Sequence, residues 1–239
     1  NPLIISQVGV SGLLVLDYGQ LHGYMQYRIL ETIIGSLVAV IINMIICPAK
    51  ESPLRKQKIV QLTKQLAQVL QHIAISNPTT AHYNKQLEVA RTVVFQSGKE
   101  SQDLKQAIQN LQYTPFRGKE RMYMKDLCLI MERLERMSVQ IRGIARGIVD
   151  IHKTMESAPD ISSAIEITAA CIEQYGEYVN FPSTDKKQAL QQYVVKSQTV
   201  QRQAFFEIRT IVAAPVLHQL GGIFTDLSRL LDEIEEGLL

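Results

Sequence analysis

Residues 28–48 read RILETIIGSLVAVIINMIICP, and between Glu31 and Lys50 the chain carries no charge. About 20 residues of α-helix span about 30 Å, the thickness of a bilayer's hydrocarbon core. Arg28 and Glu31 stand at one end of the run. Pro48 closes the other, and Lys50, Arg55, Lys56 and Lys58 follow it at once. An apolar rod with a basic collar on one side predicts a membrane span with a cytoplasmic exit. The same run also suits a buried core helix, because Thr32, Gly35, Ser36 and Asn43 fit the inside of a soluble bundle. It is apolar on all faces rather than along one stripe, which favours the span.

Upstream, Pro2 to Leu16 reads PLIISQVGVSGLLVL, apolar but short. It predicts a tilted span packed on neighbours, or else a hydrophobic segment of a soluble core. Asp17 to Tyr27, DYGQLHGYMQY, predicts a connecting loop, because tyrosines gather at water–lipid interfaces. Residues 1–48 then form a membrane helical hairpin with its loop outside and both ends inside. The chain starts at Asn1 rather than Met, and it reads as the C-terminal part of a longer protein with further spans before it.

Downstream, residues 49–239 predict a cytosolic α-helical domain. Ser52-Pro53 is a cap followed by a first-turn proline. Ile59, Leu62, Leu66, Val69 and Ile73 step by three and four, a heptad-like seam. Asn77-Pro78 ends that helix. A second helix is expected over 82–96, stopping near Gly98, and a short third one over 102–111. The longest is expected over 119–155. There Leu127, Ile130, Leu134, Met137, Ile141, Ile144, Ile148, Ile151 and Met155 keep the alternation throughout. Arg133, Arg136, Arg142 and Arg146 flank it, facing solvent paired with Glu132 and Glu135, or else meeting anionic headgroups or an acidic partner. Gly143 and Gly147 form GxxxG, which permits close helix approach, in a segment too charged to be a span. Asp160 is a candidate N-cap for a helix carrying Ile161, Ile165, Thr168, Ile172, Tyr175 and Val179. A turn at 181–185 precedes a helix over 186–213, which Pro215 should end or kink. The last helix carries Leu217, Leu220, Phe224, Leu227, Leu231, Ile234 and Leu238 and ends acidic, from Asp232 to Glu236. The fold class is therefore all-α: a transmembrane helical hairpin, then a bundle of long antiparallel helices.

The 239 residues carry a net charge of +2, which gives no general case for nucleic acid. The clustered basic residues suit lipid headgroups or membrane topology. Cys47, Cys128 and Cys171 are odd in number and far apart, which argues against a disulfide framework. No glycine-rich phosphate loop, nucleophile elbow or HExxH occurs. Five histidines are scattered singly. No enzyme and no cofactor is expected. At the membrane the polar residues say more, since an ionisable group near a span is costly. Arg28 could hold an anion's carboxylate by its planar fork, or Glu31 could neutralise it. Asn43 needs a partner on another helix or a wet path. As a structural alternative, Arg28 and Glu31 are interfacial anchors and Asn43 joins helices.

Tyr27 to Pro48 resembles the last membrane span of the aromatic acid exporter family, part of the wider fusaric acid resistance group. Arg28, Thr32, Gly35, Asn43 and Pro48 match the family's Arg, Thr, Ile-Gly and closing Pro pattern. Leu220 to Asp232, LGGIFTDLSRLLD, resembles its closing helix. Pro115 to Ile148, with YMKDLCLIMERLERMSVQIRGIARGI, is similar in character to its cytosolic helical region. The resemblance implies a multi-pass protein of a bacterial inner membrane with its C-terminal domain in the cytoplasm. It implies export of aromatic carboxylates, with Arg28 as first anion contact and Thr32 and Asn43 along the path. Its partners would be the organic anion, the bilayer, further copies of the chain and a periplasmic adaptor subunit. A membrane-tethered interaction module without transport is the other functional reading, with Leu134, Ile141 and Ile148 in a dimerising seam.

Overall fold

A computed structural model describes residues 24–46, 51–75, 79–112, 118–154 and 161–238. They form seven helices and no strand: α1 (Tyr24–Ile46), α2 (Glu51–Ile73), α3 (Thr80–Gln112), α4 (Gly118–Thr154), α5 (Ser162–Asn180), α6 (Thr184–Arg209) and α7 (Ala214–Glu236). The chain divides into two compact units, Asn1–Ala49 and Lys50–Leu239.

In the first unit only α1 is described. It begins at Tyr24, so the loop expected over 17–27 gives way to helix at its end. No breaker stands between Gly23 and Gly35, and Tyr, Met and Gln are compatible with a helix. The expected span over 2–16 lies outside the described residues, as do Cys47 and Pro48. The hairpin is therefore unconfirmed, and among the described residues no helix is long and apolar enough to cross a membrane.

The second unit is built on α2, α4, α5 and α7, which contact one another around a closed ring of four. Helix α3 lies against α2 and α4, and α6 against α5 and α7. Side-chain pairs set the directions. Along α3 and α4, Tyr83 meets His152, Ser97 meets Ser138 and Lys105 meets Glu132, so one index falls as the other rises. Arg136–Glu233 and Gly147–Ile223 run the same way between α4 and α7. So do Lys56–Phe181 and Thr63–Gly176 between α2 and α5. Each is an antiparallel pair, and successive helices alternate in direction.

The expected seams are the core. Leu66, Leu134, Ile144, Ile172, Leu227 and Leu231 are almost wholly buried in one cluster. Burying each such side chain is worth about 1.5–3 kcal/mol before chain entropy is counted. The seam of Leu134, Ile141 and Ile148 is used within the chain, so it cannot also be the exposed dimerising surface of the tethered-module reading.

Four boundaries differ from expectation. Helix α2 begins at Glu51, so Ser52 lies inside its first turn rather than at the cap. Helix α3 runs through Gly98 without a stop. A glycine in a helix interior costs about 1 kcal/mol, and burial of flanking residues outweighs that. Ser97 and Ser101 are fully buried beside it. Helix α6 ends at Arg209 rather than running to 213, and Pro215 sits in the first turn of α7. Proline fits there because the first turn's N–H groups have no intrahelical partner. Helix α5 has Ile161 at its N-cap, without a side-chain hydrogen bond, and Asp160 lies outside the described residues.

Candidate functional site

Arg28, Thr32 and Asn43 all lie on α1. At about 100° per residue, Arg28, Thr32, Gly35, Ala39 and Asn43 fall within one quarter of the helix circumference. Arg28 Nη1 donates to Glu31 Oε2 at 3.3 Å, and Thr32 Oγ1 donates to the Arg28 carbonyl at 2.8 Å. Ser36 returns its hydroxyl to the Ile33 carbonyl in the same manner. Arg28 and Thr32 are thus brought together, and Asn43 lies on the same face about four turns along, with a side chain outside the described set. A hydroxyl bonded to the preceding turn is satisfied within its own helix. It keeps acceptor capacity for a further donor.

The Arg28–Glu31 pair is exposed, at 43% and 69% of the two side chains. Exposed pairs contribute little to stability, about 0–1 kcal/mol, and a competing carboxylate can exchange into one. The rest of α1 is apolar and uncovered. Ile29, Leu30, Ile33, Ile34, Leu37 and Val38 are all about half exposed or more, and they cover the half of the helix circumference opposite Arg28 and Thr32. A β-carbon placed on Gly35 would meet nothing within 4 Å.

Comparison with protein-family models, curated proteins and solved structures finds no match to this chain.

The bundle adds groups that sequence patterns did not single out. Gln201 on α6 is buried and donates both to Thr168 Oγ1 at 2.8 Å and to the Leu227 carbonyl at 3.3 Å. One amide side chain so joins α5, α6 and α7. Ser97 and Ser138 hydroxyls meet at 2.9 Å between α3 and α4. Each position falls in an otherwise apolar stripe, the one signal that could have marked it. Arg136 grips Glu233 at 2.6 and 2.7 Å, and Arg133 donates to the Glu236 carbonyl at 3.0 Å. These flanking arginines therefore meet the acidic end of α7 rather than Glu132 and Glu135. Glu132 instead pairs with Lys105 at 2.9 Å.

Two hollows are lined by these elements. One of about 100 Å³ has Ile59, Leu62, Leu104 and Met131 as its apolar wall, with Arg55, Lys58 and Glu100 at its polar side. The other, between α4 and α7, is an open groove of about 680 Å³ with mixed charge. In the first, Lys58 and Glu100 form an ion pair at 2.7 Å. Among the described residues no group of three metal-ligating side chains converges. Cys128 and Cys171 are free thiols, and burial pushes Cys171 up to about 12, far from thiolate at neutral pH. Burial also lowers the His152 pKa, and its ring stacks on Tyr83 at 4.4 Å between centroids.

Proposed function

We propose that this chain is the membrane-proximal part of an exporter of aromatic carboxylates or related organic anions. It would sit in a bacterial inner membrane, with α1 as the last span and α2–α7 as a cytoplasmic assembly or gating domain. The observation that carries the membrane placement is the uncovered apolar half of α1. So much exposed aliphatic surface on one helix calls for an apolar surrounding. The full run from 32 to 49 supports a span, since its 18 residues carry no charge. The anion role is supported by Arg28 and by its resemblance to the exporter pattern. Thr32 and Asn43 share its face and are proposed as path residues, and copies of the chain together with a periplasmic adaptor would complete the assembly.

A carboxylate substrate would replace Glu31 at the Arg28 fork, two parallel N–H donors to two oxygens. The test is efflux of a panel of aromatic acids from cells with and without the full-length gene. Deletion should sensitise cells to particular acids, with rescue by the wild type and not by Arg28→Ala. An unchanged panel on deletion would sink the exporter reading.

One observation favours the second reading, a membrane-tethered interaction module. Arg28 is already paired with Glu31, and an anchoring role needs nothing more of it. Such a module predicts that Arg28→Ala alters membrane seating and leaves every efflux rate unchanged.

A further inference from the structure

We infer that the hollow between α2 and α3, floored by Met131 of α4, binds a small uncharged phenol. Ile59 and Leu62 of α2, Leu104 of α3 and Met131 are each at most 3% exposed, and they wall about 100 Å³ of space. The polar groups of the lining, from Arg55, Lys58, Gln61, Gln96 and Glu100, form its mouth. An apolar void with a few polar groups at one side is the common form of a small-molecule site. It suits a molecule with one apolar and one polar end.

Charge at the mouth selects against an ion. Lys58 Nζ is held by Glu100 Oε1 at 2.7 Å, and Arg55 Nη1 stands 3.7 Å from Glu100 Oε2. Glu51 comes one turn before Arg55 in α2, so acidic and basic residues there are equal in number. An entering carboxylate would have to displace Glu100 from Lys58, whereas a neutral hydroxyl displaces nothing. Oε2 lies farther from Arg55 than a hydrogen bond reaches, and a carboxylate oxygen has lone pairs to spare. A phenolic O–H can donate to it, and such a bond to an ionised acceptor is about twice as strong as one between neutral groups. The phenol stays neutral at pH 7, as a tyrosine hydroxyl does with its pKa of about 10. The wall favours a ring over an alkyl chain, because the flexible thioether of Met131 adapts its shape and makes favourable contacts with ring edges. A dry cavity of about 150 Å³ holds benzene, so in this smaller space the ring enters edge first and its hydroxyl end stays in the mouth. The site lies wholly within the bundle and requires nothing of α1.

The full chain is placed in lipid discs with isotope-labelled methionine methyl groups, and phenol is titrated at measured free concentration while the methyl resonances are followed. Met131→Leu assigns the Met131 signal. Ring currents should move that signal saturably, while the signals of Met124 and Met137, buried elsewhere on α4, stay in place. Leu104→Phe fills the hollow and should abolish the shift, and Leu62→Phe makes the same test from α2 where the first variant does not fold. Glu100→Gln keeps the shape, removes the charge and should weaken phenol binding about tenfold. No saturable movement of Met131, or movement of all three methionines together, overturns the proposal. So does a shift that survives the filled hollow, or binding as tight in Glu100→Gln as in the wild type.

Discussion

At Gly176 the helix α5 comes so close to α2 that a β-carbon would lie 2.6 Å from Thr63 Oγ1 and 3.0 Å from Thr63 Cβ. Thr63 is wholly buried, and its hydroxyl is held by the Val60 carbonyl at 2.8 Å, so it cannot swing aside. Gly176→Ala should therefore destabilise the bundle by about 1–3 kcal/mol in urea unfolding, despite alanine's better helix propensity. A neutral or stabilised variant would show that the α2–α5 spacing is slack. Gly143 and Gly147 act alike, since a β-carbon at Gly147 would meet Ile223 Cγ1 at 2.8 Å. A motif familiar from membrane helices here lets α4 approach α7. His152 gives a residue-level pH effect. Burial holds its folded pKa below the ordinary 6.5, so the unfolded chain binds the proton more readily. Stability is then full above about pH 6.5 and falls as pH drops toward the folded value. Thermal melts at pH 7.5 and 5.5 should show a smaller acid loss in His152→Phe, which keeps the stacking on Tyr83. An unchanged acid loss would clear His152 of that role.

At the scale of elements, α3 shows what the sequence could and could not say. Three-four spacing marked α2, α4, α5 and α7 well, because each buries a single stripe and the spacing of that stripe is the helix period. Gly98 looked like a stop, because the reading had only local chemistry to use. Whether a glycine ends a helix or lies inside one depends on what faces it, and the partner helix is not local. The placement yields a test. A β-carbon at Gly98 would make only an ordinary contact, 3.6 Å from Glu135 Oε1. Gly98→Ala should stabilise the bundle by about 1 kcal/mol, read as a higher urea midpoint. Loss of stability would mean that α3 breaks there in solution. Gln201 escaped notice for the same reason, since its three-helix role appears only once α5, α6 and α7 are side by side. The candidate site was legible to a different degree: Arg28, Glu31 and Thr32 lie within one turn, so their contacts could be read from spacing alone. What should meet Asn43 could not.

For the whole molecule, six helices share one core, so core truncation should be felt everywhere. Leu134 is fully buried on α4. Leu134→Ala should cost about 2–5 kcal/mol and shift a single unfolding transition, without changing oligomeric state by light scattering. A change of oligomeric state with stability intact would restore the seam to an intermolecular role. The alternation of helix directions has a mechanical consequence. Six antiparallel helices are an even number, so Glu51 and Glu236 come out at the same end of the bundle. Tension applied between those two residues would pull the helices apart crosswise, one row of side chains after another, as a zip opens. Loaded through its ends, the domain would yield by peeling rather than by shear, and its resistance would be set by the outermost turns of α2 and α7 rather than by the core as a whole.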